Sequence, residues 1–168
     1  MSRIAVLGAG SWGTTLGLVL HENGHDVVFW EFDEEQVEAV AKDRENRKFL
    51  PGVAVPDTIS ITNEMAEAIE GSDTAVFAVP SHAVRDTSVA ARPHLSKDAL
   101  VVNVAKGIEN GTLLRMSQVL SETLGRASSE RIASLVGPSH AEEVSRKLPT
   151  AVVSAASDEG TAVAVRDL

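Results

Sequence analysis

The residues best suited to chemistry stand near the start of the chain, in a glycine-rich segment. Gly8, Gly10 and Gly13 form the pattern GxGxxG directly after residues 3–7, a short run typical of a strand. In this pattern the first glycine permits a tight turn, the second lets a pyrophosphate approach the backbone, and the third lets the next helix pack closely on the sheet. A helix that begins here directs its N-terminal amides at the phosphates. The segment therefore predicts a dinucleotide site; the alternative is a glycine-rich turn without a ligand.

A second signal is a pair of acids, Glu31 and Asp33, at the end of the next predicted strand, residues 26–30. Dinucleotide sites carry an acid at this place, which accepts hydrogen bonds from the adenosine ribose and, by repelling a 2′-phosphate, favours NAD over NADP. Asp33 also suits the N-cap of the following helix, and the two roles are compatible. Phe32, between the acids, is expected either on the adenine face or in the core. Three downstream cations could approach the same pocket and favour NADP: Arg44, Arg47 and Lys48.

Three later predicted strands end in segments that could border the same crevice, because ligands of open α/β sheets bind beyond the carboxyl ends of strands. The segments are VPSH (79–82), NVAKGIE (103–109) and GPSHA (137–141). Pro80, which ends the first of these strands, is predicted to border the cofactor. Lys106 is the strongest candidate for chemistry, because a lysine at the mouth of a buried strand can hold an anionic or carbonyl-bearing substrate. The alternative is a solvated lysine in a turn.

Gly137 and Ser139 are predicted to open a helix, so that their backbone amides could bind a phosphate or a substrate oxygen, against the alternative of ordinary capping. We predict no metal site, on the interpretation that the five histidines have no partners at metal-ligand spacing and form no HExxH or HxxxH pair. His82 and His140 are expected at the surface or in packing roles. No serine lies in a nucleophile elbow, so nucleophilic hydrolysis is not predicted.

The elements that must position these residues alternate between strand-like apolar runs and segments of helical periodicity. This alternation predicts an α/β fold with a Rossmann-type, doubly wound and mostly parallel sheet. The predicted strands are residues 3–7, 26–30, 59–62, 74–79, 99–104, 132–136 and 151–154. The predicted helices are residues 14–23, 33–43, 63–69, 81–91 with Ser81 as the cap, 113–124, 141–146, and one that opens at Asp158. Residues 44–57 contain two prolines and a glycine and are predicted to be a long connection.

We assign the whole chain, residues 1–168, to one dinucleotide-binding domain, because no repeat or linker divides it. No glycine or proline stop signal follows Arg166, so the last helix is expected to be cut in mid-course and the chain to be an N-terminal fragment.

Composition excludes several classes of protein. Hydrophobic residues make up 43% and charged residues 23% of the chain, which is ordinary globular usage. The absence of cysteine removes disulfides and thiolate chemistry, and the formal net charge of −9 disfavours nucleic-acid binding. No apolar run approaches the length of a membrane span, and no signal peptide precedes the first strand, so we expect no membrane insertion and a cytoplasmic location.

Several strings, taken together and in order, resemble the NAD(P)-dependent glycerol-3-phosphate dehydrogenases of the bacterial type. They are GAGSWGTTL (8–16), WEFD (30–33), KFLPG (48–52), VPSHAVR (79–85), VAKGIE (104–109) and GPSHAEEV (137–144). The resemblance implies reversible hydride transfer between NAD or NADP and the carbon-2 position of glycerol 3-phosphate or dihydroxyacetone phosphate, which feeds glycerophospholipid synthesis. It leaves open a homodimer of the full-length enzyme.

The resemblance also implies roles for individual residues. Ser11, Trp12, Phe32 and Ala141 match dinucleotide contacts, Lys106 matches a residue that touches both cofactor and substrate, and Gly137 and Ser139 match substrate contacts. The family continues into an α-helical substrate domain that carries the catalytic lysine and the residues that hold the substrate phosphate. Because this domain is absent here, we expect no turnover by the isolated 168 residues.

Two alternatives stay open on the sequence. The chain could be the cofactor half of another two-domain dehydrogenase that acts on a hydroxy acid or a sugar. It could also be a non-catalytic dinucleotide-sensing module, which the missing acid–base domain would favour. The sequence beyond Leu168 would discriminate between them.

Overall fold

The computed structural model describes residues 1–125 and 131–168. Within these residues the chain forms seven strands and seven α-helices. The strands are β1 (Arg3–Leu7), β2 (Asp26–Trp30), β3 (Ser60–Thr62), β4 (Thr74–Phe77), β5 (Leu100–Asn103), β6 (Ile132–Val136) and β7 (Val153–Ala156). The helices are α1 (Ser11–Glu22), α2 (Glu34–Asp43), α3 (Met65–Ile69), α4 (Val84–Ala91), α5 (Met116–Leu124), α6 (Ala141–Ser145) and α7 (Glu159–Arg166).

The strands form one sheet in the order β3-β2-β1-β4-β5-β6-β7. All neighbours are parallel except β6 and β7, which are antiparallel. The chain proceeds outward from β1 to β3 and then returns to add β4 on the other side of β1. A crevice for ligands forms where the strand order reverses in this way, here beyond the carboxyl ends of β1 and β4. The predicted Rossmann-type, mostly parallel sheet is confirmed.

Both faces of the sheet are covered by helices, which explains the continuous apolar character of its central strands. Ile4 and Val6 of β1 belong to one buried layer, whereas Ala5 and Leu7 belong to the other. Helix side chains complete these layers: Leu20, Val40 and Val165 on the first face, and Ile69, Val84 and Leu120 on the second. No helix among the described residues is both long enough and apolar enough to cross a membrane.

The starts of two helices differ from the prediction. Helix α1 begins at Ser11, three residues before the predicted start, because Gly10 serves as its N-cap and the glycine segment enters the helix at once. Helix α5 begins at Met116 instead of residue 113, because Leu113 has a left-handed φ of 58° that interrupts a helix. The alternation of apolar residues does not reveal either of these backbone conformations.

Two further boundaries also needed the tertiary structure. Ser81 does not cap a helix as predicted, since it begins a single 3₁₀ turn, Ser81–Ala83, that leads into α4. Strand β7 lies two residues later than predicted, at Val153–Ala156, where it pairs with Ala133–Val136 of β6. Residues 151–156 are apolar or small throughout, so only the pairing partner determines which of them form the strand.

The predicted long connection, residues 44–57, is a closed loop. An antiparallel bridge joins Glu45 to Ala54, and the N–H of Val55 donates to the carbonyl of Arg44 at 2.8 Å. The Glu45 carboxylate accepts the N–H of Gly52 at 2.8 Å. Leu50 and Val55 are buried, so the loop is anchored to the body of the protein at both of its sides.

At Gly17, α1 lies close against the sheet. A Cβ added at this glycine would stand 2.1 Å from Cε1 and 2.5 Å from Cζ of Phe29 on β2. Phe29 is fully buried, so its ring cannot move aside without disturbing the core. The absence of a side chain at Gly17 therefore sets the distance between α1 and β2.

We expect Gly17→Ala to lower the free energy of unfolding by about 1–3 kcal/mol, as overpacking of a core does. The helix propensity of alanine alone would instead raise stability by ~1 kcal/mol. Urea denaturation of the chain measures the difference. As a control, the cost of Gly17→Ala should fall when it is combined with Phe29→Leu, which removes ring atoms from the contact. A more stable Gly17→Ala variant would contradict this account.

Candidate functional site

The three glycines of the turn between β1 and α1 have different surroundings. Gly8 has a φ of +108°, and an added Cβ would lie 2.9 Å from backbone atoms of Ala78 and Val79. At Gly13 a Cβ would stand 1.9 Å from the carbonyl oxygen of Gly8. A Cβ at Gly10 would meet no atom within 4 Å. Gly8 and Gly13 are thus required by packing, whereas Gly10 faces open space in the crevice.

The N-terminus of α1 opens into the same space. Its N-cap is Gly10, no side chain caps it, and its first turn contains no acid. The cleft beside it encloses about 730 Å³ and is lined by Gly8, Gly10, Ser11 and Trp12 from this end. Uncapped amides and the positive end of the helix dipole make this the part of the cleft suited to a pyrophosphate.

Glu31 lies at the end of β2, and its carboxylate is held by three backbone N–H groups. One oxygen, Oε2, accepts from Ala9 at 3.0 Å, and the other, Oε1, accepts from Phe32 at 3.0 Å and from Asp33 at 3.4 Å. A carboxylate has about four acceptor positions, so Glu31 can still accept a hydroxyl. Both Glu31 and Phe32 line the cleft, and the Phe32 side chain is exposed, which excludes the core position considered for it.

Asp33 lies beside the cleft and does not line it. Its Oδ1 accepts the N–H of Gln36, which confirms the predicted N-cap of α2, and its Oδ2 pairs with Nζ of Lys48 at 3.1 Å. The hydrogen bond from Lys48, assisted by the N–H of Gln36, lowers the pKa of Asp33 below its ordinary value. Of the two acids considered for the ribose, Glu31 is the one that faces the cleft.

The three cations after α2 differ in how near they lie to the cleft. Arg44 pairs with Asp57 and donates to the carbonyl of Ile59, and Arg47 pairs with Asp43 and Glu45. Neither lines the cleft, so the expectation that these two arginines approach the pocket is not met. Only Lys48, through its pair with Asp33, stands near the end of β2.

The three later strand ends do share one crevice with the glycine turn. The cleft is lined by Val79, Pro80 and His82 after β4, by Val104, Ala105 and Lys106 after β5, and by Ser139, His140 and Ala141 after β6. Three of the residues predicted for the site do not line it: Gly13, Asp33 and Gly137.

Lys106 bridges two of these strand ends. Its Nζ donates to the carbonyl oxygen of Ser139 at 3.1 Å, and the residue is exposed. It lines both the cleft and a neighbouring cavity, which Asn103 of β5, Met116 of α5 and Ala155 of β7 also line. A single hydrogen bond to an uncharged acceptor leaves two ammonium protons available for a ligand.

Gly137 and Ser139 do not open a helix, so that prediction is wrong. Helix α6 begins at Ala141 with His140 as its N-cap, and it has five residues. Gly137 is a close contact instead, because an added Cβ would lie 2.7 Å from the carbonyl oxygen of Ala151. Ser139 is buried and presents its carbonyl to Lys106. The carbonyl of Ala141 accepts the hydroxyl of Thr15 at 3.3 Å, which ties this segment to α1.

One spacing argument from the sequence is wrong, because His21, Glu22 and His25 do form the letters HExxH. The two histidines do not share one helix, because α1 ends at Glu22 and Gly24 has a φ of +88°. His21 contacts the hydroxyl of Thr58, and Nε2 of His25 lies 3.1 Å from the carbonyl of Leu168. Among the described residues no group of three or more histidines and acids is placed to hold a metal ion.

An ion pair joins helix α4 to the segment after β5, and neither Arg85 nor Glu109 lines the cleft. Nε and Nη2 of Arg85 donate to the two carboxylate oxygens of Glu109 at 2.7 and 2.9 Å, and Nη1 donates to Glu122 at 2.9 Å. The hydrogen bonds from Arg85, followed by one from Thr112, lower the pKa of Glu109 to about 2. The same contacts raise the pKa of Arg85 above its already high ordinary value. The pair fixes the segment three residues beyond Lys106.

Comparison with known proteins identifies the family. Residues 3–162 match the model of the NAD-dependent glycerol-3-phosphate dehydrogenase N-terminus. The chain belongs to this family. The resemblance inferred from the motifs is therefore confirmed, and the alternative of a hydroxy-acid or sugar dehydrogenase is not supported.

Relatives in the glycerol-3-phosphate dehydrogenase family match the chain from end to end. The NAD(P)+ enzyme of Syntrophomonas wolfei is 47% identical over 168 residues, which are 100% of this chain and 49% of the relative. That of Bacillus velezensis is 42% identical with the same coverage. The crystal structure of glycerol-3-phosphate dehydrogenase from Coxiella burnetii has a TM-score of 0.90 at 30% identity and covers 98% of this chain and 49% of its own. The chain thus spans about half the length of these relatives.

The sequence analysis did not predict two residues that lie at or beneath the cleft, Phe49 and Asn46. Phe49 lines the cleft from the closed loop, and Asn46 is fully buried beneath it. The motif KFLPG includes Phe49, but its letters do not show that the loop folds back onto the glycine turn. A single asparagine in a polar loop without periodicity carries no signal of burial.

The Arg85–Glu109 pair generates a pH prediction. Because the folded-state pKa of Glu109 lies below the ordinary value of 4.5, its ionised form stabilises the fold fully above pH 4.5, and this contribution is lost as the pH falls to about 2. We expect wild type to be more stable than Glu109→Gln at pH 7 and this difference to shrink at pH 3, as measured by urea denaturation. Glu38→Gln, at an exposed site on α2, is the control and should change little. A difference that stays constant with pH would contradict the assignment.

Proposed function

We propose that the chain is the cofactor-binding half of a dehydrogenase that interconverts sn-glycerol 3-phosphate and dihydroxyacetone phosphate with NAD or NADP, and so feeds glycerophospholipid synthesis. The observation that carries this proposal is the glycine turn, where Gly10 and the uncapped N-terminus of α1 face an open cleft at the point where the strand order reverses. The family match and the names of the relatives, glycerol-3-phosphate dehydrogenases that use NAD(P)+, support the choice of cofactor and substrate.

The residues present fit a nicotinamide dinucleotide. The backbone of Gly8, Gly10 and Ser11 would hold the pyrophosphate, with Gly13 keeping α1 close to the sheet. Glu31 would accept a ribose hydroxyl, and Phe32 would border the adenine. Trp12, Pro80 and Ala141 would line the remaining length of the cleft. When bound, the cofactor supplies or accepts the hydride.

Lys106 is the residue of this chain that we assign to the substrate, together with Ser139 and Gly137. Its ammonium is held at the mouth of β5 by the Ser139 carbonyl and remains exposed, so it can donate to an electron-rich oxygen of the substrate. Gly137 acts through packing, since it lets the segment before Ser139 approach residue 151 closely. The proton transfer to the carbonyl oxygen is assigned to the family's catalytic lysine, which the resemblance implies lies outside these 168 residues.

Three further features belong to this proposal. We assign all of residues 1–168 to the dinucleotide-binding domain and propose a cytoplasmic enzyme without a nucleic-acid partner, for which the net charge of −9 is the supporting feature. NAD should bind at least as well as NADP, because Glu31 faces the ribose end of the cleft, although Lys48 offers one nearby cation.

Cofactor binding is tested with Gly10→Val. The wild-type chain should bind NADH or NADPH with modest affinity, and Gly10→Val should abolish detectable binding, because its side chain enters the space assigned to the pyrophosphate. Isothermal calorimetry with both cofactors measures the affinities and their order. The φ of −72° at Gly10 is open to any residue, and a Cβ there meets no atom within 4 Å, so the variant should fold.

A matched control for this test is Gly160→Ala, which also replaces a glycine near a helix N-terminus but lies in the first turn of α7, outside the cleft. It should bind cofactor like wild type. Two results would overturn the proposal: a folded wild-type chain that binds neither cofactor, or a Gly10→Val variant that binds as well as wild type.

The role of Lys106 is tested in the full-length enzyme. Lys106→Met should lower kcat/KM for dihydroxyacetone phosphate by roughly a hundredfold or more, the scale seen when a preorganised donor is lost. Because the ammonium is exposed, the variant should lose only ~0.5 kcal/mol of stability. Lys97→Met, at an exposed turn before β5, is the control and should leave kcat/KM unchanged.

Two outcomes would contradict the assignment of Lys106. One is full activity of Lys106→Met in the full-length enzyme. The other is rapid oxidation of NADH with dihydroxyacetone phosphate by the isolated 168 residues, since the acid that protonates the carbonyl would then lie within them.

A further inference from the structure

Phe49 of the closed loop, residues 44–57, forms part of one wall of the cleft, and this loop lies outside the GxGxxG fingerprint. Phe49 is 40% exposed, and the preceding residue, Lys48, pairs with Asp33, which follows the cleft residues Glu31 and Phe32 in the chain. Nζ of Lys48 lies 5.1 Å from the centre of the Phe49 ring, and Leu50, the next residue, is buried. An aromatic ring at this end of the cleft is placed to pack against the adenosine half of a dinucleotide.

Asn46 joins this loop to the glycine turn. Its Nδ2 donates to the carbonyl oxygen of Ala9 at 2.7 Å and to the hydroxyl of Thr14 at 2.8 Å. Its Oδ1 accepts from Nε2 of Gln36 at 2.9 Å and from the N–H of Phe49 at 3.2 Å. Asn46 is 0% exposed. One buried amide thus connects the turn after β1, helix α2 and the aromatic residue in the wall.

The chemistry of the site requires an amide. Two acceptor groups face the nitrogen and two donors face the oxygen, so both ends of the side chain are fully used. An aspartate would place a carboxylate oxygen against the carbonyl of Ala9, and that charge would be buried without a cationic partner. A serine would reach only part of the network and leave buried polar groups unpaired.

We propose that Asn46 is a positioning residue for cofactor binding, which holds the loop so that Phe49 packs against the adenosine half of the dinucleotide. The inference rests on the proposed function, because it takes the ligand of the cleft to be NAD(H) or NADP(H). Asn46 itself is buried and touches no ligand; it acts through the position of Phe49 relative to the glycine turn. A shift of the closed loop would therefore change the position of Phe49 relative to the glycine turn.

The test is a double-mutant cycle on cofactor affinity, with NADH and with ADP-ribose as ligands, in the 168-residue chain. Phe49→Ala should raise Kd about fivefold, the low end of what an aromatic contact with a base contributes, and Asn46→Asp should raise it about tenfold. If Asn46 acts through Phe49, Asn46→Asp should raise Kd less than about threefold when Phe49→Ala is already present. ADP-ribose, which lacks the nicotinamide, should show the same coupling.

The experiment must distinguish a general loss of protein stability from a displacement of Phe49. Val119→Ala, at a fully buried site in α5 on the opposite face of the sheet, is a destabilised control that should leave Kd unchanged. Asn46→Ser, and Gln36→Leu from the α2 side of the network, enter the same cycle if Asn46→Asp does not fold. Each should raise Kd and should be coupled to Phe49→Ala.

The outcomes are distinct. Independent, multiplicative effects of the Asn46 and Phe49 substitutions on Kd, or an Asn46 variant with wild-type affinity, would overturn the inference while wild-type binding and its loss in Gly10→Val leave the proposed function standing. A wild-type chain that binds neither NADH nor ADP-ribose would remove both. Coupled effects, with Val119→Ala binding normally, would support the positioning role.

Discussion

The close approach of α1 to the sheet is the constraint on which the rest of the structure depends. At Gly13 a single added carbon would stand 1.9 Å from the Gly8 carbonyl, and at Gly17 it would overlap the ring of Phe29. This approach brings the first turn of the helix to the point between β1 and β4 where the sheet opens. With α1 farther out, its amides would not face the cleft, and the carbonyl and N–H of Ala9 would lie beyond the reach of Asn46 and Glu31.

Around this contact, side chains fasten the loops at the carboxyl end of the sheet to one another. Glu31 and Asn46 bind the backbone of the glycine turn, Thr15 binds the Ala141 carbonyl, and Lys106 binds the Ser139 carbonyl. Each of these bonds joins segments that lie far apart along the chain, so the cleft has a defined shape before any ligand enters. Such preorganisation lowers the entropy that binding must overcome.

In the proposed function this chain binds the cofactor. It spans about half of the length of its relatives. The hydride belongs to the cofactor, so the protein must chiefly orient it and exclude wrong geometries. Lys106 differs from Glu31, whose carboxylate is held by three backbone N–H groups, because Lys106 is exposed and its ammonium donates to one neutral acceptor. The Lys106 ammonium must reach a substrate that this chain does not itself hold, so a side chain that can move suits this task. Glu31 and Asn46, which shape the cofactor cleft, are instead each held by several hydrogen bonds.

The sequence by itself determined the features that depend on neighbours along the chain: the parallel strands of the sheet, the glycine turn after β1, the N-cap at Asp33 and the helix that opens at Asp158. These follow from periodicity, backbone freedom and hydrogen bonds within one turn. Only the tertiary structure decided which acid faces the cleft, where β7 pairs, that Gly137 is a packing contact, that Phe49 lines the cleft, and that the buried Asn46 binds the glycine turn. These depend on contacts such as that between Asn46 and Ala9, which are 37 residues apart. Local patterns carry no record of such pairings, because the partner is chosen by how the whole chain packs.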